Sequence, residues 1–359
     1  MKNVLLLLSF VAISCVATIS SAAEVKGKAQ VYGYTEDAYG TGDLFDKDSS
    51  ATGVGINLNV SEKLFDGVTA NFGAFGYTDL GKDFGGSLEP LAIGADNNGK
   101  DGAYFGVANI TATFGDTTAV LGRQELASPM VGSFNWLLAP SHFEAYTVVN
   151  KSVPDVTLVG TYLTKLRGNG SGSTFAKLDG DNYGIGANYS KDITGNLWFY
   201  NVDAADYTQV YGDVSKAIGD VTFAGQAVST NYGATTDSMA YGIKASTAID
   251  GLDLSLAYNK VEDAPTGYVQ VDSLYTSSWN SFASTKVGDS FKVGAGKSFD
   301  KLKTSASYAY YDDSRYEADL ILGYPVSDKV SLDGIVSKTR YNDGDKSNTA
   351  VELIAGYSF

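Results

Sequence analysis

The sequence predicts an all-β protein that folds as a transmembrane antiparallel β-barrel of 18 strands. Three observations predict this fold. Apolar and polar residues alternate with period two along the chain, tight turns alternate with long polar gaps, and all 6 prolines fall outside the alternating segments. The 359 residues include 41 Gly, 24 Tyr and 17 Phe. This composition suits strands joined by turns.

The first 22 residues have the pattern of a secretory signal peptide. Lys2 precedes an apolar run over residues 4–13, and small residues lead up to Ala22. A basic start, a short apolar run and small residues at the cleavage point define such a signal. We expect cleavage after Ala22 or one residue later, which leaves residues 23–359 as a single barrel domain. The only cysteine, Cys15, lies inside the segment, and a lipoprotein signal ending there is the alternative interpretation.

Segments of period-two alternation predict the strands in order. Val54 and Ile56, for example, alternate with Asn57 and Asn59 on the opposite phase, as expected when successive side chains point to opposite faces of a strand. The same pattern predicts strands at 25–35, 52–60, 68–77, 103–114, 119–124, 143–151, 156–166, 183–189, 196–202, 207–216, 221–229, 238–247, 252–260, 290–297, 302–311, 316–324, 330–341 and 349–359.

The gaps between these strands are of two kinds. Every second gap is a tight turn, as at 61–67, whereas the others are more polar and include the long gaps 78–102 and 261–289. Short periplasmic turns and long outer loops are typical of outer-membrane barrels, and a two-sheet sandwich has no reason to sort its connections in this way. A barrel of 16 strands, with a weak segment such as 119–124 merged into its neighbour, is the alternative.

The polar phase of the strands is predicted to line a water-filled lumen. Polar side chains are costly in lipid, and a barrel of this strand number is wide enough for an aqueous channel. The charged residues predicted to line it are Lys28, Asp213, Lys244, Asp253, Lys292, Lys303, Asp319, Asp333 and Glu352. Tyrosines near strand ends, such as Tyr258, Tyr308 and Tyr357, are expected to form a girdle at the membrane surface, although β propensity alone also places tyrosines in strands.

The gap near 124–142 is unusually apolar for an outer loop, with Phe134, Trp136 and Leu138 among its residues. Since such a loop is badly placed in outside water, we predict that this one loop folds into the lumen and narrows it. A charged constriction selects solutes by diameter and by field. The residues expected there are Arg123, Gln124, Glu125, His142 and Glu144. The alternative is that the loop packs on the wall or mediates subunit contacts.

Short motifs around this loop resemble a known family. Gly122-Arg123-Gln124 and Phe143-Glu144 are similar to elements of OprD-like porins, and the chain also resembles the major outer-membrane porins of epsilon-class proteobacteria. The resemblance implies passive diffusion of ions and small hydrophilic solutes across the outer membrane of a Gram-negative bacterium. It also leaves open a homotrimer. Terminal Phe359 resembles the signal that the barrel-assembly machinery reads.

The chain departs from the OprD-like pattern in two respects. It is shorter than those members, and it has no long run of lumen arginines. Specific uptake of carboxylates is therefore not implied, and the lumen carboxylates instead favour a weak preference for cations. An adhesion or structural barrel that acts through its surface loops is the alternative function.

Composition and motifs exclude other classes of function. The 26 Lys+Arg against 41 Asp+Glu argue against a nucleic-acid partner, because phosphate binding needs clustered basic residues. The single histidine, His142, follows Ser141 directly and cannot form a catalytic dyad with it, and no Gly-x-Ser-x-Gly elbow is present. We therefore predict that the protein is not an enzyme and has no catalytic residues.

Acidic loops are the remaining candidates for ion binding. Asp43, Asp46 and Asp48 are close in sequence, as are Asp343 and Asp345, and clustered carboxylates suit Ca²⁺. No complete EF-hand loop is present. We therefore predict no cofactor and no metal site, and leave open weakly bound Ca²⁺ at these loops.

Overall fold

The structure is a computed structural model that describes residues 23–81, 101–342 and 346–359. The signal segment predicted at residues 1–22 lies outside the described residues. No helix among the described residues is long and apolar enough to cross a membrane.

The regular structure of the described chain is almost entirely β-strand. The strands are β1 (Glu24–Glu36), β2 (Ser50–Phe65), β3 (Val68–Asp79), β4 (Asp101–Phe114), β5 (Thr117–Gln124), β6 (His142–Asn150), β7 (Val156–Arg167), β8 (Ala176–Ser190), β9 (Thr194–Val202), β10 (Tyr207–Ile218), β11 (Val221–Tyr232), β12 (Ser238–Ile249), β13 (Leu252–Glu262), β14 (Gly288–Phe299), β15 (Leu302–Tyr311), β16 (Arg315–Pro325), β17 (Val330–Arg340) and β18 (Asn348–Ser358). Single 3₁₀ turns lie at Ala38–Gly40, Asp203–Ala205 and Ala283–Thr285.

The strands form one closed antiparallel barrel. Each strand pairs with its neighbours in the chain, and β1 closes the sheet by pairing with β18 from Lys28 opposite Ser358 to Glu36 opposite Ala350. Closure leaves no unpaired edge. The predicted fold class and the count of 18 strands are confirmed, against the alternative of 16.

The connections are sorted between the two ends of the barrel, as predicted. At one end, which we call the turn end, strands are joined by short turns such as Asp250–Gly251, where both residues have positive φ (50° and 73°). A turn of this kind matches the twist of the two strands that it joins. At the other end, the loop end, the connections include residues 125–141 and 263–287.

Side chains alternate between the inside and the outside of this wall. In β10, Gln209 and Tyr211 are 1% and 3% exposed, whereas Val210 and Val214 are each 47% exposed. The exposed apolar residues therefore face outward, and the buried phase faces a packed interior. Phe359 continues the outward phase: a Cβ at Gly27 would lie 2.2 Å from its ring.

Glycines make room for large interior side chains on neighbouring strands. A Cβ at Gly186 in β8 would lie 2.2 Å from the ring of Trp198, which β9 places directly opposite. Gly160 in β7, by contrast, has no atom within 4 Å of such a Cβ.

Replacing Gly186 with Val should therefore destabilise the barrel by about 1–3 kcal/mol, the usual cost of overpacking. The matched Gly160→Val variant should leave stability unchanged or raise it, since valine favours strands. The midpoint of urea unfolding in detergent, followed by tryptophan fluorescence, measures both. Equal midpoints for the two variants would contradict this packing of Trp198 over Gly186.

Candidate functional site

The first inward loop, residues 125–141, leaves the wall where β5 ends. Gly122 has a φ of 123°, and a Cβ there would lie 2.3 Å from the carbonyl oxygen of Ala108. Only glycine adopts this conformation at such a close approach. Two residues later the buried side-chain amide of Gln124 donates to the Ala145 carbonyl oxygen at 3.0 Å. The local backbone at Gly122 thus sets where the chain turns into the barrel.

The end of the first inward loop packs against the inner side of β1–β4. Leu138 and Ala139 are buried together with Tyr32 and Phe75. A Cβ at Gly55 in β2 would lie 2.7 Å from Leu138 Cδ1, so glycine in the wall makes the space for this leucine. The loop is therefore seated on the strands that precede β5 in the wall.

The second inward loop, residues 263–287, also lies inside the barrel. The sequence assigns this segment to the polar outer loops, yet Leu274, Thr276 and Ser284 are 3%, 0% and 0% exposed. The Thr276 amide donates to Asn259 Oδ1 at 3.0 Å, and its hydroxyl lies 2.7 Å from that of Ser290. Among the described residues, two loops lie inside the barrel where the sequence predicted one.

Buried carboxylates on the wall hold the second inward loop. The Asn280 amide donates to Glu317 Oε1 at 2.6 Å, and Trp279 Nε1–H donates to Glu352 Oε1 at 2.8 Å. The Tyr32 hydroxyl donates to the other oxygen of Glu352. These contacts fix the loop against β16 and β18.

The two inward loops touch one another inside the barrel. The Val269 amide donates to the Met130 carbonyl oxygen at 2.8 Å, and the Ser273 hydroxyl donates to the Pro129 carbonyl oxygen at 2.6 Å. The rings of Trp136 and Trp279 lie 5.0 Å apart between centroids. The loops therefore form one layer across the interior.

Asp272 organises the second inward loop from within. Its carboxylate accepts from the amides of Leu274 and Ser284, at 2.8 and 2.9 Å, and from the Ser277 hydroxyl at 2.9 Å. Burial raises the pKa of Asp272 from its usual 3.8, although these hydrogen bonds act to lower it. The loop thus depends on a buried carboxyl group that is held by three short hydrogen bonds.

A cavity of about 1090 Å³ lies beside the loop layer. The loops contribute the aromatic residues Phe134, Trp136, Trp279 and Phe282 to its lining. The wall contributes charges of both signs and small polar residues. Those wall residues include Lys244, Asp253, Lys292, Asp319, Ser246, Ser255 and Ser307. The charged and hydroxyl groups of this lining can form hydrogen bonds with water.

All nine predicted lumen residues lie on the inward phase of their strands. In β12, for example, Lys244 shares its phase with buried Ser238 and Ala240, whereas Ile243 is 65% exposed on the outside. The same comparison of burial along each strand places the others: Lys28, Asp213, Asp253, Lys292, Lys303, Asp319, Asp333 and Glu352. The structure brings four of the nine together at the cavity, Lys244, Asp253, Lys292 and Asp319.

Arg123 and Glu144 lie elsewhere than the sequence places them. They are direct partners in the β5–β6 register, 3.5 Å apart, and Lys165 lies 2.9 Å from the same carboxylate. In β6, Phe143 and Ala145 are 0% and 1% exposed in the interior cluster. Glu144 alternates with them and points outward, so these paired charges do not face the lumen. The short sequence motif alone does not reveal on which face of the strand each of these residues lies.

His142 and Glu125 face each other where the two ends of the first inward loop meet the wall. His142 is fully buried, with Nδ1 2.9 Å from the Pro140 carbonyl oxygen and Nε2 3.7 Å from Glu125 Oε1. Gly106 leaves room for the imidazole, since a Cβ there would lie 2.6 Å from His142 Cε1. The histidine therefore packs where the chain rejoins the wall.

Sequence reasoning missed Trp279, Asn280 and Glu317. The signal that could have found them is the aromatic content of residues 263–287, which include Tyr268 and Phe282. The same observation identified the first inward loop. Serines around these aromatics made the segment look polar.

Among the described residues, no group of three or more His, Cys, Asp or Glu side chains could hold a metal ion. Asp343 and Asp345 lie outside them. Ca²⁺ at the acidic loops stays a prediction.

Comparison with known proteins gives a likeness of fold. No protein-family model and no curated protein matches the chain. Among solved structures, OccK8 (OprE) of Pseudomonas aeruginosa is 16% identical with a TM-score of 0.77, covering 94% of this chain and 98% of its own. OpdK of the same species, solved with vanillate, gives the same values.

OccAB4 of Acinetobacter baumannii is 13% identical with a TM-score of 0.77, and the match covers 94% of this chain and 98% of that one. At these low sequence identities, the structural similarity establishes the fold of this chain. The resemblance to OprD-like porins is confirmed at that level, and the one to epsilon-class porins stays a prediction.

The second inward loop should become harder to open as the pH falls. The pKa of the Asp272 carboxyl group is higher in the closed loop, so the closed loop binds the proton more readily than the open one. The closed form therefore gains stability as the pH falls through that raised pKa towards 3.8. Hydrogen exchange of the Leu274 and Ser284 amides, corrected for intrinsic rates, measures opening. Asp272→Asn should abolish the dependence. Protection that declines on acidification would contradict the expected direction.

Proposed function

We propose that this protein is an outer-membrane porin of a Gram-negative bacterium, through which ions and small hydrophilic solutes diffuse passively. One observation carries the proposal: a closed wall of 18 strands is apolar outside and lined inside by charges of both signs around a cavity of about 1090 Å³. A closed barrel satisfies every backbone group in a membrane. The likeness in fold to OccK8 and OpdK supports the same assignment.

We infer that the two inward loops together form the constriction. The pair Trp136 and Trp279 lies where the loops meet and lines the cavity. Gln124, Glu125 and His142 fix the two ends of the first inward loop at the wall, and they do not line the passage. Arg123 and Glu144, which point outward, are left out of the constriction.

Ion preference follows from the charges on the inner wall. Asp220, Asp253, Asp272 and Asp319 line the cavity together with Lys244 and Lys292, so carboxyl groups outnumber lysines there. We propose a weak preference for cations, because inward carboxylates such as Asp333 add negative charge elsewhere on the wall. Rings of charge in a pore set selectivity through their field.

Membrane lipid, the solutes that pass and the barrel-assembly machinery are the proposed partners. Phe359 supports the last of these, since it lies on the outward side over Gly27, beside the seam of β1 and β18. An assembly factor can therefore reach it before the seam closes.

Trp279→Ala should raise the single-channel conductance in planar bilayers, because the indole is removed from the constriction. Phe291→Ala is the matched control, since Phe291 is 50% exposed on the outer surface and should leave conductance unchanged. A purified barrel without stepwise conductance would overturn the porin proposal and favour a surface-loop function such as adhesion.

Lys244→Glu should move the reversal potential under a KCl gradient towards stronger cation preference, because it reverses a charge at the cavity. Lys297→Glu on the outward phase of β14 serves as the control and should have no such effect. A chloride preference of the unmodified protein would refute the proposed selectivity, while leaving the channel itself intact.

A further inference from the structure

A second cavity, of about 530 Å³, lies inside the barrel between the first inward loop and the wall at β8 and β9. Its volume falls within the range of pockets that bind small molecules, about 300–1,000 Å³. Val271 and Ser273 of the second inward loop line both this cavity and the larger one described above, which we call the first cavity. The two cavities are therefore neighbours.

The two cavities differ in charge. Four aspartates and two lysines line the first cavity, whereas Glu125 is the one charged residue among the described residues that line the second. The Glu125 carboxylate is already engaged, because it accepts from the Asn135 side-chain amide at 3.3 Å and lies 3.7 Å from His142 Nε2. An ion that leaves water needs a partner of opposite charge. The second cavity therefore suits a neutral solute.

Two side-chain amides of the second cavity present a donor and an acceptor side by side. Asn188 and Asn196 line it and are direct partners in the β8–β9 register, so their Cβ atoms are about 4.5–5.5 Å apart. The Asn188 side-chain oxygen accepts from Trp198 Nε1–H at 3.3 Å. The Asn196 NH₂ group donates to both carboxylate oxygens of Asp213, at 3.0 and 2.9 Å. These bonds leave the NH₂ group of Asn188 to donate and the oxygen of Asn196 to accept.

Apolar side chains complete the lining of the second cavity. Leu126, Pro129 and Val271 line it together with the two amides. A sugar ring carries hydroxyl groups at its edge and C–H groups on its faces, so it matches both parts of this lining. Each hydroxyl group both donates and accepts, as the pair of amides requires. A purely apolar solute would leave both amides without partners, which is unfavourable.

A row of polar side chains continues along the wall from the second cavity towards the first. Asn196 pairs in register with Asp213, and Asp213 pairs with Gln226. Gln226 is 6% exposed, and among the described residues neither atom of its side-chain amide has a hydrogen-bond partner. Its neighbour on the same face of β11, Ala224, lies opposite Lys244 of the first cavity. A buried amide in this state requires a polar molecule beside it.

We propose that the second cavity binds a neutral solute with several hydroxyl groups, of the size of a hexose, on its way through the barrel. The proposal rests on the proposed porin function and names a class of solute for it. The hydroxyl groups pair with Asn188 and Asn196, and a C–H face of the ring packs on the apolar part of the lining. The first cavity, with its charges of both signs, remains the passage for ions.

Fluorine NMR of protein labelled with 5-fluorotryptophan tests the proposal, because the 3 tryptophans report on different cavities. Trp198 lines the second cavity, whereas Trp136 and Trp279 line the first. Titration with D-glucose in detergent should shift the Trp198 resonance, assigned with Trp198→Phe, to saturation and leave the other two almost unmoved. Gluconate, a charged molecule of similar size, should give no saturable shift at Trp198.

Three results would overturn the proposal: no saturable shift with glucose, a shift of the Trp136 and Trp279 resonances alone, or an equal response to gluconate. These titrations use the unmodified protein, so they decide the matter even if a variant fails to fold. Stepwise conductance in planar bilayers separates this failure from failure of the porin proposal, because ions pass through the first cavity whether or not glucose binds.

Asn188→Leu and Asn196→Leu should each weaken glucose binding about tenfold, since each removes a hydrogen-bonding group from the second cavity. Asn57→Leu is the matched control and should leave the affinity unchanged. Asn57 lies on the inward phase of β2 and is not among the residues that line either cavity. All three variants must first show the heat-modifiable migration of a folded barrel. Equal affinities in the three variants and the unmodified protein would contradict the assigned site.

Discussion

The pairing of β1 with β18 is the constraint on which the rest of the structure depends. It turns a long antiparallel sheet into a wall with no free edge, so that every strand must show one face to the inside and one to the outside. Once the sheet is closed, successive side chains of each strand point alternately towards the inside and the outside of the barrel. Val210 and Ile243 face outward, whereas Gln209 and Lys244 face the interior. Both the apolar surface and the charged interior follow from that one geometric condition.

A closed wall of this width leaves more space than wall side chains fill, and the two inward loops occupy the remainder. Each loop is also held by strands beyond the two that it joins. Leu138 reaches the space above Gly55 in β2, and Trp279 reaches Glu352 in β18. Each loop also supports the other, through the Val269 amide and the Met130 carbonyl oxygen. The layer inside the wall is therefore built by two segments that are distant in sequence, so that a change in either loop alters the contacts of the other.

The fold could be predicted from the sequence almost completely, because alternation within a strand is a local signal. The segment proposed at 207–216 is observed as β10, Tyr207–Ile218, and 330–341 as β17, Val330–Arg340. The interior could be predicted only in part. The contact of Asn280 with Glu317 joins the loop to β16, a strand that the loop does not connect, and no spacing rule reveals it. Glu144 shows the other limit: its motif suggested a role in the pore, but its phase between Phe143 and Ala145 turns it outward.

The bond between Tyr32 and Glu352 joins residues 320 positions apart in the chain. Contacts of such long sequence separation form late, because the chain between them must first be organised. The barrel therefore cannot close until β18 is in place. Glu352, once paired with Tyr32, also accepts a hydrogen bond from Trp279 of the second inward loop. Closure of the barrel wall and ordering of the second inward loop are thus coupled in time. A chain that ends before β18 would expose two unpaired strand edges and lose the Glu352 contact that fixes the second inward loop.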